Sequence, residues 1–106
     1  MFSIKTGVKL IGVRPEMAVV DLVVDQVYTK HGIERCQLTS CVDGTHRRQS
    51  AHYTGRAKDY GVKKTDTEYY PGDVCQKIVD EIQMRLGNEF DVLYEVNHIH
   101  VEYDPK

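Results

Sequence analysis

Three things are scarce in this sequence, and each scarcity closes off a class of protein. Apolar residues never run long, and no stretch approaches the roughly 20 residues that a membrane-spanning helix needs. Positive charge is not in excess: 14 Lys and Arg stand against 16 Asp and Glu, a net charge of −2. With no basic stripe and a pI near 6.2, the footprint of a nucleic-acid partner is missing. The cysteines number three. Cys36, Cys41 and Cys75 are odd in count and none lies two from another, which argues against a disulfide scaffold and a zinc ribbon. Cys36 and Cys75 sit in apolar patterns and read as buried free thiols. The opening MFSIKTGVKL has no continuous apolar stretch of the secretory kind, so the chain is expected to be made in the cytoplasm and to stay there until released. Internal repeats, low-complexity tracts and linkers are also missing.

What is there fits one domain, residues 1–106. Apolar residues make up 41 % and charged residues 28 %, an ordinary globular balance. Residues 1–13 read as an extended arm or short turns. Pro15 suits the first turn of a helix, and Val20, Val23, Val24 and Val27 continue at helical spacing between Glu16 and Lys30, with Gly32 as a stop. Residues 34–42 alternate loosely and predict a strand. A polar loop from Asp43 to Gln49 leads to a second short strand at 56–61, and residues 62–70 read as loop. Pro71 opens a second helix with Asp73 near its positive end. Its apolar face is Cys75, Ile78, Val79, Ile82 and Leu86, and Gly87 closes it. Strands near 90–95 and 98–103 finish the chain. The expected fold is α+β: a small domain with a mainly antiparallel sheet flanked by two helices.

Two segments carry chemistry. In E95-V-N-H-I-H-V-E102, strand alternation puts His98, His100 and Glu102 on one face and Ile99, Val101 and Tyr103 on the other. Two imidazoles side by side on a polar face add nothing to packing, but they present nitrogen donors suited to zinc. In S50-A-H-Y-T-G-R-A-K-D59, His52 and Asp59 are seven apart, and Gly55 between them permits a turn that folds the Asp back. Two His and one Asp leave a fourth position open for water, as catalytic zinc sites require.

The first segment resembles the SxHxxGxAxD signature of zinc D-alanyl-D-alanine peptidases. That group includes phage endolysin peptidases and bacterial dipeptidases and shares its fold with the hedgehog signalling domain. Ser50, His52, Gly55, Ala57 and Asp59 occupy the five fixed positions, and N97-H-I-H-V-E-Y103 looks like the second metal motif. The resemblance implies Zn²⁺ held by His52, Asp59 and a third ligand. Members with HxH use the second histidine, here His100, and leave His98 to line the site and bond the oxyanion. Members with ExxH pair a base with a ligand three residues on, here Glu95 and His98. The HIHVEY context favours His100. The base is expected to be Glu95, because Asn97 stands where relatives often carry Asp and an amide cannot take a proton. On an unbroken strand Glu95 would face away with Ile99, so a turn or bulge at Val96–Asn97 has to re-aim it. Glu102 is the fallback.

The resemblance also implies substrate contacts from Ser50. Arg48, or Arg47 beside it, could pair with a substrate carboxylate through a planar fork. His31 and His46 read as structural or surface residues, and Tyr53, Tyr69 and Tyr70 as plausible pocket walls. The implied activity is zinc-dependent hydrolysis of a D,D- or L,D-peptide bond in peptidoglycan stem peptides, by a phage-type lysis enzyme that reaches the cell wall after release. Its rivals are a zinc-binding module of the same fold without turnover, a different metallohydrolase such as an amidase on another small substrate, and a structural phage protein with a vestigial site.

Overall fold

The computed structural model describes residues 1–41 and 55–105. The second helix begins where its sequence says it should. Pro71 is the N-cap residue, α2 runs Gly72–Leu86 with Asp73 in its first turn, and Gly87 ends it at φ 88°. Cys75, Ile78, Val79 and Ile82 form its buried stripe, at about 1.5–3 kcal/mol for each large side chain fully buried.

The first helix starts later than its valine spacing predicts. Pro15–Met17 forms a 3-10 turn, and α1 proper runs Val20–Lys30. The Ala18 N–H bonds Pro15 O and the Val23 N–H bonds Val19 O, so the tight turn relaxes into α-helix across Val19. Valine-rich sequence has weak helix propensity, and packing of Val20, Val24, Val27 and Tyr28 sustains the element.

The strands are β1 (Phe2–Ile4), β2 (Cys36–Ser40), β3 (Ala57–Gly61), β4 (Phe90–Glu95) and β5 (His98–Tyr103). They form one sheet in the order β1-β2-β3-β5-β4. β1 pairs with β2 in parallel, and every other pairing is antiparallel. The arm expected at the N-terminus thus contributes a short edge strand. Cys36, Leu38, Tyr60, Ile99, Val101, Val92 and Phe90 join the helix stripes in the core. All three cysteines are buried thiols outside any disulfide. Burial pushes the Cys36 thiol up to about 12. No helix among the described residues is long and apolar enough to cross a membrane.

Three local features hold this arrangement. Lys58 is buried, its Nζ 3.0 Å from Asp21 Oδ2, while Tyr60 Oη donates to Asp21 Oδ1 at 2.5 Å. This clamp ties the first turn of α1 to β3. Gly55, at φ 72°, lies so close to the Gly12 backbone that a Cβ would overlap the Gly12 carbonyl, and the Arg14 N–H bonds Gly55 O at 2.8 Å. Glycine is required there by conformation and by space. At the edge of the sheet, the Gln83 amide donates to Phe90 O at 2.6 Å and accepts from the Val92 N–H at 3.0 Å.

Candidate metal centre

Strand register, which no single segment reveals, builds the site. β5 lies between β3 and β4, and cross-strand partners share a face. Asp59 stands opposite His100 and Gly61 opposite His98, while Leu93 and Glu95 of β4 stand opposite His100 and His98. Asp59, Glu95, His98, His100 and Glu102 therefore meet on the face away from the core. Beside Asp59 the β2–β3 pairing shifts register between Leu38 and Ser40, and Thr39 Oγ1 donates to Asp59 O at 3.2 Å. Such irregularities re-aim a side chain locally.

Each imidazole has one nitrogen held and the other turned toward the same carboxylate oxygen. His98 Nδ1 is 2.7 Å from Asn97 Oδ1, and its Nε2 is 3.8 Å from Asp59 Oδ1. His100 Nε2 is 3.2 Å from Glu102 Oε1, and its Nδ1 is 2.8 Å from Asp59 Oδ1. The Asn97 amide oxygen accepts from His98 Nδ1, the way an outer acceptor orients a ligating histidine, whereas His100 has a carboxylate against each ring nitrogen, an arrangement that suits an imidazolium donating to both. Imidazole nitrogen and carboxylate oxygen are donor types that zinc accepts.

Asp59, Glu95 and Glu102 surround two imidazoles, so the site is short of positive charge. Burial of the His100 ring works against its charged form. Hydrogen bonds to Asp59 and Glu102, with the negative charges of Asp59 and Glu95, outweigh that, and the imidazole titrates at about 9.

Glu95 joins this face because the chain reverses over two residues. Val96 takes a positive φ of 42°, the Asn97 N–H bonds Glu95 O, and β5 returns alongside β4. Glu95 Oε1 then lies 4.0 Å from His98 Nε2. The turn that the sequence needed at Val96–Asn97 is thus present. His52, Ser50 and Arg48, with Arg47, His46 and Tyr53, lie outside the described residues. His31 lies away from the site at the end of α1, its Nε2 3.0 Å from Glu81 Oε1.

Two roles were not read from the sequence: Asn97 and Glu102 act as acceptors that orient the histidines. For Glu102 the signal was available, since it follows His100 by two on the same strand face. Glu102 also gathers with Asp91 and Asp104, and their ligand atoms all lie within 4.8 Å of one another. Among the described residues that is the group meeting this closeness, and Asp59 with the two imidazoles does not meet it. An all-carboxylate cluster lacks the nitrogen or sulfur donors typical of zinc.

Comparison with known proteins returned no matching family model, no matching curated protein and no matching solved structure.

Proposed function

We propose that this chain is a zinc-dependent peptidase of the D-alanyl-D-alanine peptidase type, with the hedgehog-like fold of that group, acting on peptidoglycan stem peptides. The observation that carries the reading is the convergence of His98 Nε2 and His100 Nδ1 on Asp59 Oδ1, with Glu95 beside them. The S50-A-H-Y-T-G-R-A-K-D59 motif adds His52 to the set. A phage-type lysis enzyme that meets the cell wall after release fits the same reading.

His52, Asp59 and His100 hold the metal in this proposal. Bound zinc supplies Lewis acidity, lowering the pKa of a water and polarising the scissile carbonyl. Glu95 accepts the proton of the attacking water and passes it to the leaving amine. His98 lines the oxyanion position, its ring held by Nδ1 on Asn97. Glu102 holds His100 in orientation. Ser50 and Arg48 contact the substrate.

The test is joint metal and activity analysis. Wild type should bind about one zinc per chain and cleave a synthetic stem peptide. His100→Ala should lose the metal, whereas Glu95→Gln should keep it and lose roughly 10²–10⁴-fold in turnover, the range for a positioned acid–base group. A wild type that takes up no zinc when it is supplied would end this reading. Zinc retained by His100→Ala but lost from His98→Ala would move the third ligand to His98.

A second reading, a zinc-binding module without turnover, is favoured by Asn97, which spends its amide oxygen on His98 and cannot act as a base. It predicts stoichiometric zinc with no cleavage of the peptide.

A further inference from the structure

Asp59 stands where its strand is held unevenly. On the β5 side it belongs to a continuous ladder, opposite His100. On the β2 side the pairing slips: Leu38 faces Tyr60, but Ser40 faces Asp59. An extra residue of this kind disrupts the ladder locally, and the Thr39 hydroxyl answers with a bond to Asp59 O at 3.2 Å. Binding groups have to be held within about 0.5 Å of their working geometry. A ligand beside a slipped register therefore needs its backbone fixed from elsewhere.

The two residues that flank Asp59 are gripped on the opposite face of the sheet. Alternation sends Lys58 and Tyr60 inward beneath α1 while Asp59 faces out, and both are buried. Lys58 Nζ is 3.0 Å from Asp21 Oδ2 and 3.4 Å from Met17 O. Tyr60 Oη donates to Asp21 Oδ1 at 2.5 Å. A single carboxylate in the first turn of α1 thus takes both neighbours of Asp59, one on each oxygen. Two anchors on either side of one residue restrain the position and the twist of the peptide units between them. Bonds to charged groups are the stronger class of hydrogen bond, and burial shields these from exchange with water.

We propose that Asp21 is a positioning residue for the candidate metal centre. By gripping Lys58 and Tyr60 from behind the sheet, it sets the Asp59 carboxylate on its line to His100, 2.8 Å away. The assignment rests on the zinc reading and extends it to a residue on the helix side of the sheet. Asp21 acts through β3 alone. Its effect therefore falls on how tightly the metal is held, and it needs the Lys58 and Tyr60 side chains to reach the site at all.

Asp21→Ala alone strands the Lys58 ammonium in the core and endangers folding. The deciding variant is Lys58→Met/Tyr60→Phe, which deletes both arms and leaves no buried charge. Wild type, this variant and Ile78→Val, which only thins the buried stripe of α2, are titrated with zinc against a chromophoric chelator. The double variant should bind zinc roughly 10–100-fold more weakly, the range for groups that orient metal ligands, and Ile78→Val should match wild type. Adding Asp21→Ala to the double variant should change affinity no further, because nothing is left for the carboxylate to hold. Wild-type affinity in the double variant overturns the proposal. So does an equal loss in Ile78→Val, which would make affinity follow stability, and so does a further drop in the triple variant, which would give Asp21 another route. Should wild type take up no zinc, the metal reading fails by itself. The positioning is then read by NMR at pH 6 from the His100 Nδ1 proton that Asp59 accepts. Its signal should move or broaden in the double variant and stay in place in Ile78→Val. A signal unmoved in the double variant ends the proposal.

Discussion

Conflicting demands meet on His100. Its ring lies between two carboxylates, Asp59 at 2.8 Å and Glu102 at 3.2 Å. Without metal the arrangement favours an imidazolium; with metal it requires a lone pair. The metal-free fold therefore draws stability from the proton. The folded pKa of about 9 lies above the ordinary value of about 6.5. The contribution is then complete below about pH 6.5 and is lost as pH rises through 9. At most it is about 3.4 kcal/mol. Urea melts of metal-free wild type and His100→Gln should differ more at pH 6 than at pH 9.5, and a gap independent of pH would contradict this. The face of this side chain was legible, because H-I-H-V-E alternates. Its partner was not. A period of two fixes which side a residue takes but not which residue of a distant strand it meets. The contact between His100 and Asp59 joins positions 41 apart in sequence.

At the scale of elements, the clamp of Asp21, Lys58 and Tyr60 is what fixes β3 against α1. The alternation that sends Asp59 outward sends Lys58 inward, where its charge needs an answer. Asp21→Asn keeps a shape that can still accept from Tyr60 but leaves the buried ammonium unpaired. We expect a loss of about 2–4 kcal/mol in urea denaturation, since breaking a buried pair costs more than the pair contributes. Adding Lys58→Met should recover most of it. A single variant within about 0.5 kcal/mol of wild type would show the clamp to be dispensable. Nothing in the sequence marked Lys58 as buried, because lysine is almost never inside unless paired, and its partner lies on another element. α2 was legible to within a residue because proline, acidic first turn, apolar stripe and glycine all agree. α1 was less so, since valines at helical spacing fit a 3-10 turn and an α-helix equally well over four residues. The β4–β5 reversal was legible as two strands. The positive φ of Val96 was not, because a β-branched residue rarely takes that conformation.

At the scale of the whole molecule, the helices among the described residues cover one side of the sheet, and the other side carries every described candidate residue. An α+β domain with a mainly antiparallel sheet was legible from the order of periodicities, and β1 was not, because three residues are too few to display alternation. A sheet also has margins. Unpaired backbone groups on an edge strand can template another chain, and β4 is such an edge. There the side chain of Gln83 stands in for a neighbouring peptide group, occupying Phe90 O and the Val92 N–H. One glutamine on α2 thus occupies two of the backbone groups through which β4 could pair with another strand. Gln83→Ala would free both groups, and light scattering on mild heating should rise in the variant at a concentration where wild type stays clear. Matching scattering curves would mean that β4 is protected by some other means.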